Sequence, residues 1–75
     1  MPHVIIKHWP GKTDTQKEKL AEWILKGFEN IFNNKTDSVS IAFEEVSSDD
    51  WKEKVYKPDI QEKWDTVVKK PGYTL

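Results

Sequence analysis

The residue with the most unusual chemistry within reach is Pro2. It stands directly behind Met1, and a small second residue permits removal of the initiator. The chain then begins with a free secondary amine, a titratable base that no internal proline offers. That makes Pro2 a candidate reagent; the plainer reading makes it a strand start, where its missing N–H costs nothing. His3 follows immediately and is placed to hydrogen-bond a substrate or to set the local field. A lone strand histidine is equally well satisfied by backbone or solvent. With no cysteine and only two histidines, lacking ligand-spaced partners, neither a disulfide nor a structural zinc site is expected.

The elements that must position Pro2 are read from periodicity. Residues 2–9 form an expected strand, with Val4, Ile6 and His8 on one face and Ile5, Lys7 and Trp9 on the other. Pro10-Gly11 ends it. Thr13 is suited to cap a helix and Gln16 to reach back as its capping-box partner. The helix is expected from about Asp14 to Phe32. Its apolar residues Leu20, Trp23, Ile24, Phe28, Ile31 and Phe32 recur at three- and four-residue steps, a stripe suited to lying on a sheet.

Asn33-Asn34 tolerates the left-handed conformation that closes a helix. Thr36-Asp37-Ser38 then leads into a second strand, about Val39 to Val46, in which Val39, Ile41 and Phe43 alternate with Ser40, Ala42 and Glu44. Strand, long helix and strand make a βαβ unit, an α/β protomer with parallel strands and one covered sheet face. Ser47-Ser48-Asp49-Asp50 caps a short helix carrying Trp51 and Val55, which Pro58 should stop at Lys57. Pro58 suits the first turn of another helix, with Ile60, Trp64, Val67 and Val68 as its apolar line and Lys69 and Lys70 at its C-terminus. After the Pro71-Gly72 turn, the β-prone tail Tyr73-Thr74-Leu75 is expected to pair with a sheet edge, that of a neighbouring subunit included.

Seventy-five residues allow one domain, residues 1–75, near the lower limit for a self-sufficient core. Without disulfides or metal, oligomerisation is the remaining common support. The exposed face and edges of a two-stranded sheet ask for the same thing. Twelve basic against thirteen acidic residues, interspersed to a net charge of −1, leave no footprint for nucleic acid. Neither a signal peptide nor a run of membrane-spanning length is visible, so no membrane association and a cytoplasmic location are expected.

Several stretches together carry a resemblance. The strand opening Met1-Pro2, the run Gly11-Lys12-Thr13-Asp14 with Gln16-Lys17-Glu18 and Leu20, and Ser38-Val39 at the second strand resemble the 4-oxalocrotonate tautomerase family over nearly the whole chain. Ser48-Asp49-Asp50-Trp51 and Lys69-Lys70-Pro71-Gly72-Tyr73-Thr74 are similar, more narrowly, to its dimeric bacterial branch of PptA-type tautomerases. The resemblance implies a processed Pro2 acting as general base and then acid, carrying a proton between oxygen and carbon of an enol or dienol acid without any cofactor. Such an amine is largely unprotonated near neutral pH when a desolvated pocket and a nearby positive charge disfavour its cation. Positioning and charge stabilisation then suffice for the chemistry.

The resemblance also implies substrate-binding roles. In the family's hexameric branch an arginine stands at the position of Lys12, which keeps the cation but loses the bidentate fork. A second arginine stands at the position of Ser40, whose lack of charge favours a monocarboxylate such as an aryl or alkyl enolpyruvate. Trp51 matches an aromatic that walls the pocket, and His3 neighbours the base. The implied protomer is tautomerase/MIF-like with a C-terminal helical extension and sheets joined across subunits. A homodimer is expected first and a hexamer second. Hydratase or dehalogenase chemistry on the same scaffold, or a non-catalytic dimeric interaction module, are the alternatives.

Overall fold

The computed structural model describes residues 1–75. They divide into two compact units, residues 1–45 and residues 46–75.

The first unit contains β1 (His3–His8), α1 (Asp14–Ile31) and β2 (Ser40–Glu45). The strands pair in parallel, in step from His3 opposite Ser40 to His8 opposite Glu45. Parallel neighbours need a crossover, which α1 supplies. The register sorts the side chains. Val4, Ile6, Ile41 and Phe43 share one face, and His3, Ile5, Lys7, Ser40, Ala42 and Glu44 the other. The first face looks towards α1, because Ile6, His8 and Phe43 line a groove together with Gln16, Lys17 and Leu20. The expected βαβ unit and its facing are therefore present, with each strand one residue shorter at either end than alternation suggested.

The start of α1 follows from its capping chemistry. Thr13 Oγ1 accepts from the Gln16 N–H at 3.1 Å, and Gln16 Oε1 accepts from the Thr13 N–H at 2.9 Å. Thr13→Ala should lower stability by about 1 kcal/mol, read as a lower urea midpoint at unchanged slope. At the other end Asn33 sits at φ +58°, a left-handed conformation asparagine tolerates. The N–H groups of Phe32 and Asn34 both reach the Phe28 carbonyl, each at 3.1 Å. Between α1 and β2 the chain makes one 3₁₀ turn, Thr36–Ser38, tightened by the Ser38 hydroxyl donating to the Lys35 carbonyl at 2.7 Å.

The second unit corrects the expectation of two short helices. α2 (Ser48–Trp51) runs on into a π-wound segment, Lys52–Gln61, with Pro58 inside it. In an α-helix the proline ring would strike the carbonyl four residues back. Wider winding moves that carbonyl aside and places bonds five residues back, as from the Glu62 N–H to the Lys57 carbonyl at 3.0 Å. Asp50–Lys54 and Glu53–Lys57 pairs bridge successive turns at 3.2 and 2.8 Å. The hydrogen bond and charge of Lys57 hold Glu53 below the usual carboxylate range. A depressed folded pKa stabilises above the unfolded value and loses its effect as acid protonates Glu53. Exposure of both side chains makes this contribution small and salt-sensitive.

The helix expected after Pro58 shrinks to a 3₁₀ turn, Trp64–Thr66, and Val67 is already extended. Lys70 still finds the carbonyl its charge favours: Nζ donates to Val67 O at 2.9 Å and lies 5.2 Å over the Trp64 ring. The tail forms no strand within the protomer. Tyr73 instead accepts a hydrogen bond from the Trp51 indole and stacks near Tyr56, a polar and an aromatic contact that a strand edge would not supply.

Burial is sparse. Only Val55 and Tyr56 are buried, each 5 % exposed. On α1 and its C-cap, Trp23, Ile31 and Phe32 remain 77, 76 and 66 % exposed, so the apolar stripe is wider than two strands can cover.

Candidate active site

Three of the five expected site residues converge where the sheet begins. The Pro2 carbonyl accepts the Ser40 N–H at 3.1 Å, tying the chain terminus to the first residue of β2. That bond sets His3 opposite Ser40 in the register and brings His3 Nδ1 to 2.6 Å from Ser40 Oγ. His3 and Ser40 are exposed and lie on the sheet face turned away from α1. Loss of Met1 would convert the Pro2 nitrogen from a peptide nitrogen into an amine, in the residue whose carbonyl holds the Ser40 N–H.

Lys12 stands elsewhere. It follows Gly11, whose φ of +109° is open to glycine and strained for other residues. The turn delivers Lys12 to the rim of the groove between α1 and the sheet, a cavity of about 150 Å³ lined by Ile6, His8, Gln16, Lys17, Leu20 and Phe43. This groove belongs to the far end of β1, which at about 3.3 Å per residue carries the chain some 17 Å from His3 to His8. Within one protomer Lys12 is therefore not beside Pro2.

His8 forms part of the groove. Its Nδ1–H donates to the Trp9 carbonyl at 2.7 Å, its ring meets Phe43 edge-on at 6.0 Å, and Nε2 is enclosed without a hydrogen-bond partner. Alternation places His8 on the helix-facing side. The groove itself was not legible in sequence, because it exists only where the first turns of α1 meet the ends of both strands.

Trp51 lies in the second unit at the end of α2. Its Nε1–H donates to Tyr73 Oη at 3.0 Å, and the Tyr73 ring lies 5.8 Å from that of Tyr56. This fixes one edge of the indole. No sequence signal paired residues 22 positions apart. The chain has no group of three or more His, Cys, Asp or Glu placed to hold a metal ion, and no helix long and apolar enough to cross a membrane.

A parallel βαβ unit whose first strand opens on Met-Pro and whose N-terminal end gathers exposed polar side chains defines a tautomerase-type protomer. The chain belongs to the tautomerase family: residues 2–53 match the family model described as "Tautomerase enzyme". Its members are isomerases. "Tautomerase PptA" of Enterobacter sp. (strain 638) is 43 % identical, covering 100 % of both chains, and "Tautomerase PptA" of Pectobacterium carotovorum subsp. carotovorum (strain PC1) is 40 % identical, covering 99 % of each. Among solved structures, DmpI from Helicobacter pylori superposes with a TM-score of 0.59 at 30 % identity, over 63 % of this chain and 75 % of that one. YwhB, described as a homologue of 4-oxalocrotonate tautomerase, gives 0.60 at 27 % identity, over 64 % and 79 %.

Proposed function

We propose that the chain is a cofactor-independent keto–enol tautomerase in which the Pro2 amine, freed by loss of Met1, carries a proton between oxygen and carbon of an enol carboxylic acid. The observation that carries this reading is the convergence of Pro2 with the exposed His3–Ser40 pair in a chain of the tautomerase family. Ser40 leaves this end of the sheet without a second cation. One carboxylate is therefore the suitable charge on the substrate, as in an aryl or alkyl enolpyruvate. Lys12 attracts that carboxylate as a point charge, and Trp51 supplies an apolar wall.

Because β1 separates Pro2 from Lys12, a substrate held by both is held by two chains. The exposed apolar residues of α1 and the two open edges of the sheet agree with a homodimer built by joining sheets, with a hexamer as the alternative. Sedimentation should return a dimer; a stable monomer would remove this part of the reading.

Mixing tests the shared site directly. Pro2→Ala and Lys12→Ala chains, each weak alone, should on 1:1 mixing regain about a quarter of wild-type phenylenolpyruvate ketonisation. Half the dimers are then mixed, and one of the two sites in each is intact. No recovery would show that Pro2 and Lys12 do not meet across two chains.

A further inference from the structure

We infer that Ser40 and His3 work as one unit: the Ser40 hydroxyl holds His3 in the tautomer whose Nε2–H donates to the substrate oxygen that gains charge during proton transfer at Pro2. The inference rests on the tautomerase reading above and adds to it a fixed hydrogen-bond donor.

His3 Nδ1 and Ser40 Oγ are 2.6 Å apart, within hydrogen-bond reach. A hydroxyl can donate to a ring nitrogen or accept from it. Only donation by Ser40 leaves Nδ1 bare and the ring proton on Nε2, the nitrogen free to meet a substrate oxygen, and that is the direction the inference takes. The backbone holds the pair in place through the His3–Ser40 register and the bond from the Ser40 N–H to the Pro2 carbonyl at 3.1 Å. His3 is exposed on the open sheet face, so its ring is accessible to a small molecule.

The chemistry balances without a proton leaving His3. The Pro2 amine accepts the enol proton, and the electron pair of the O–H bond stays on oxygen. That oxygen becomes the carbonyl as the former C=C pair takes a proton from the prolinium at carbon. Between these two events negative charge rests on the oxygen, and an already oriented N–H stabilises it. His3 is then the residue that touches the substrate, and Ser40 is a positioning residue acting through it.

The test combines ring nitrogen resonances of His3 in ¹⁵N-labelled protein with ketonisation kinetics. Wild type should show Nδ1 bare and Nε2 protonated, Ser40→Ala a mixture of tautomers, and Ser40→Thr the wild-type pattern, since threonine suits a strand and retains the hydroxyl. Ser40→Ala should lower kcat about tenfold, the scale of one fixed hydrogen bond, with KM little changed. Ser40→Thr should recover most of that loss. In a His3→Ala background, Ser40→Ala should have no further effect.

A tautomer mixture in the wild type, or losses from His3→Ala and Ser40→Ala that simply add, would overturn the inference. A separate arm uses Pro2→Ala protein, where proton transfer is disabled, titrated with phenylpyruvate. The His3 Nε2–H resonance should still shift, and no shift would overturn the pair's role. A shift there with an inactive wild type would instead refute Pro2 as proton carrier.

Discussion

Pro2→Ala should lower kcat/KM for phenylenolpyruvate ketonisation by about 10²-fold, at the lower end of what a positioned acid–base group contributes. The loss is incomplete because the processed variant still carries a terminal amine, now on alanine, and an α-amino group titrates near about 7.7–8.0. What disappears is the ring. A primary amine rotates freely and is better hydrated, whereas the pyrrolidine fixes the nitrogen's direction beside the Ser40 N–H anchor. A chain that retains Met1 is the sharper case, since its Pro2 nitrogen is an amide with no basic lone pair. Its activity should fall further, towards 10⁴-fold. Both forms should keep the wild-type circular dichroism and sedimentation, because residue 2 bonds through its carbonyl, which neither change removes. Unchanged ketonisation in Pro2→Ala would exclude the amine mechanism.

The largest stability effect belongs to Tyr56. It and Val55 are the only apolar residues in the chain that are buried, and its ring lies 5.8 Å from that of Tyr73, which in turn holds the Trp51 indole. Tyr56→Ala removes the largest buried side chain and should cost about 3–4 kcal/mol, as aromatic truncations in cores do. In a domain this small that is a large share of a total of about 5–15 kcal/mol. It should lower the melting temperature by roughly 15–20 °C at fixed protomer concentration. Val68→Ala is the matched control: Val68 is fully exposed, and its truncation should stay within about 0.5 kcal/mol. Equal shifts for the two would show that the 46–75 unit is not held by the Tyr56–Tyr73–Trp51 arrangement.

The first unit was legible in detail because its signals are local. Alternation placed β1 and β2, three- and four-residue spacing placed α1, and Thr13 with Gln16 marked its first turn to the residue. The second unit was legible only to Trp51. Pro58 reads as a helix stop because sequence rules describe α-helical winding. The chain evades the rule by winding more loosely, which a residue pattern does not reveal. Within the protomer the strand propensity of the tail gives way to a hydrogen bond and a ring contact to residues far back in the chain.

The candidate site divides along the same line. The sequence by itself offered the candidate reagent, since only a proline behind a removable methionine can become a terminal amine, and the family resemblance singled it out. It also pointed to the topology that carries it, since two strand periods flanking one helical period normally give a parallel βαβ unit. Tertiary structure alone decided which of the candidate side chains are brought together. The register couples His3 to Ser40 across 37 residues, and the length of β1 sends Lys12 to the opposite end of the sheet. Both are consequences of how two strands align, and alignment is set by hydrogen bonds between distant segments that no local pattern records.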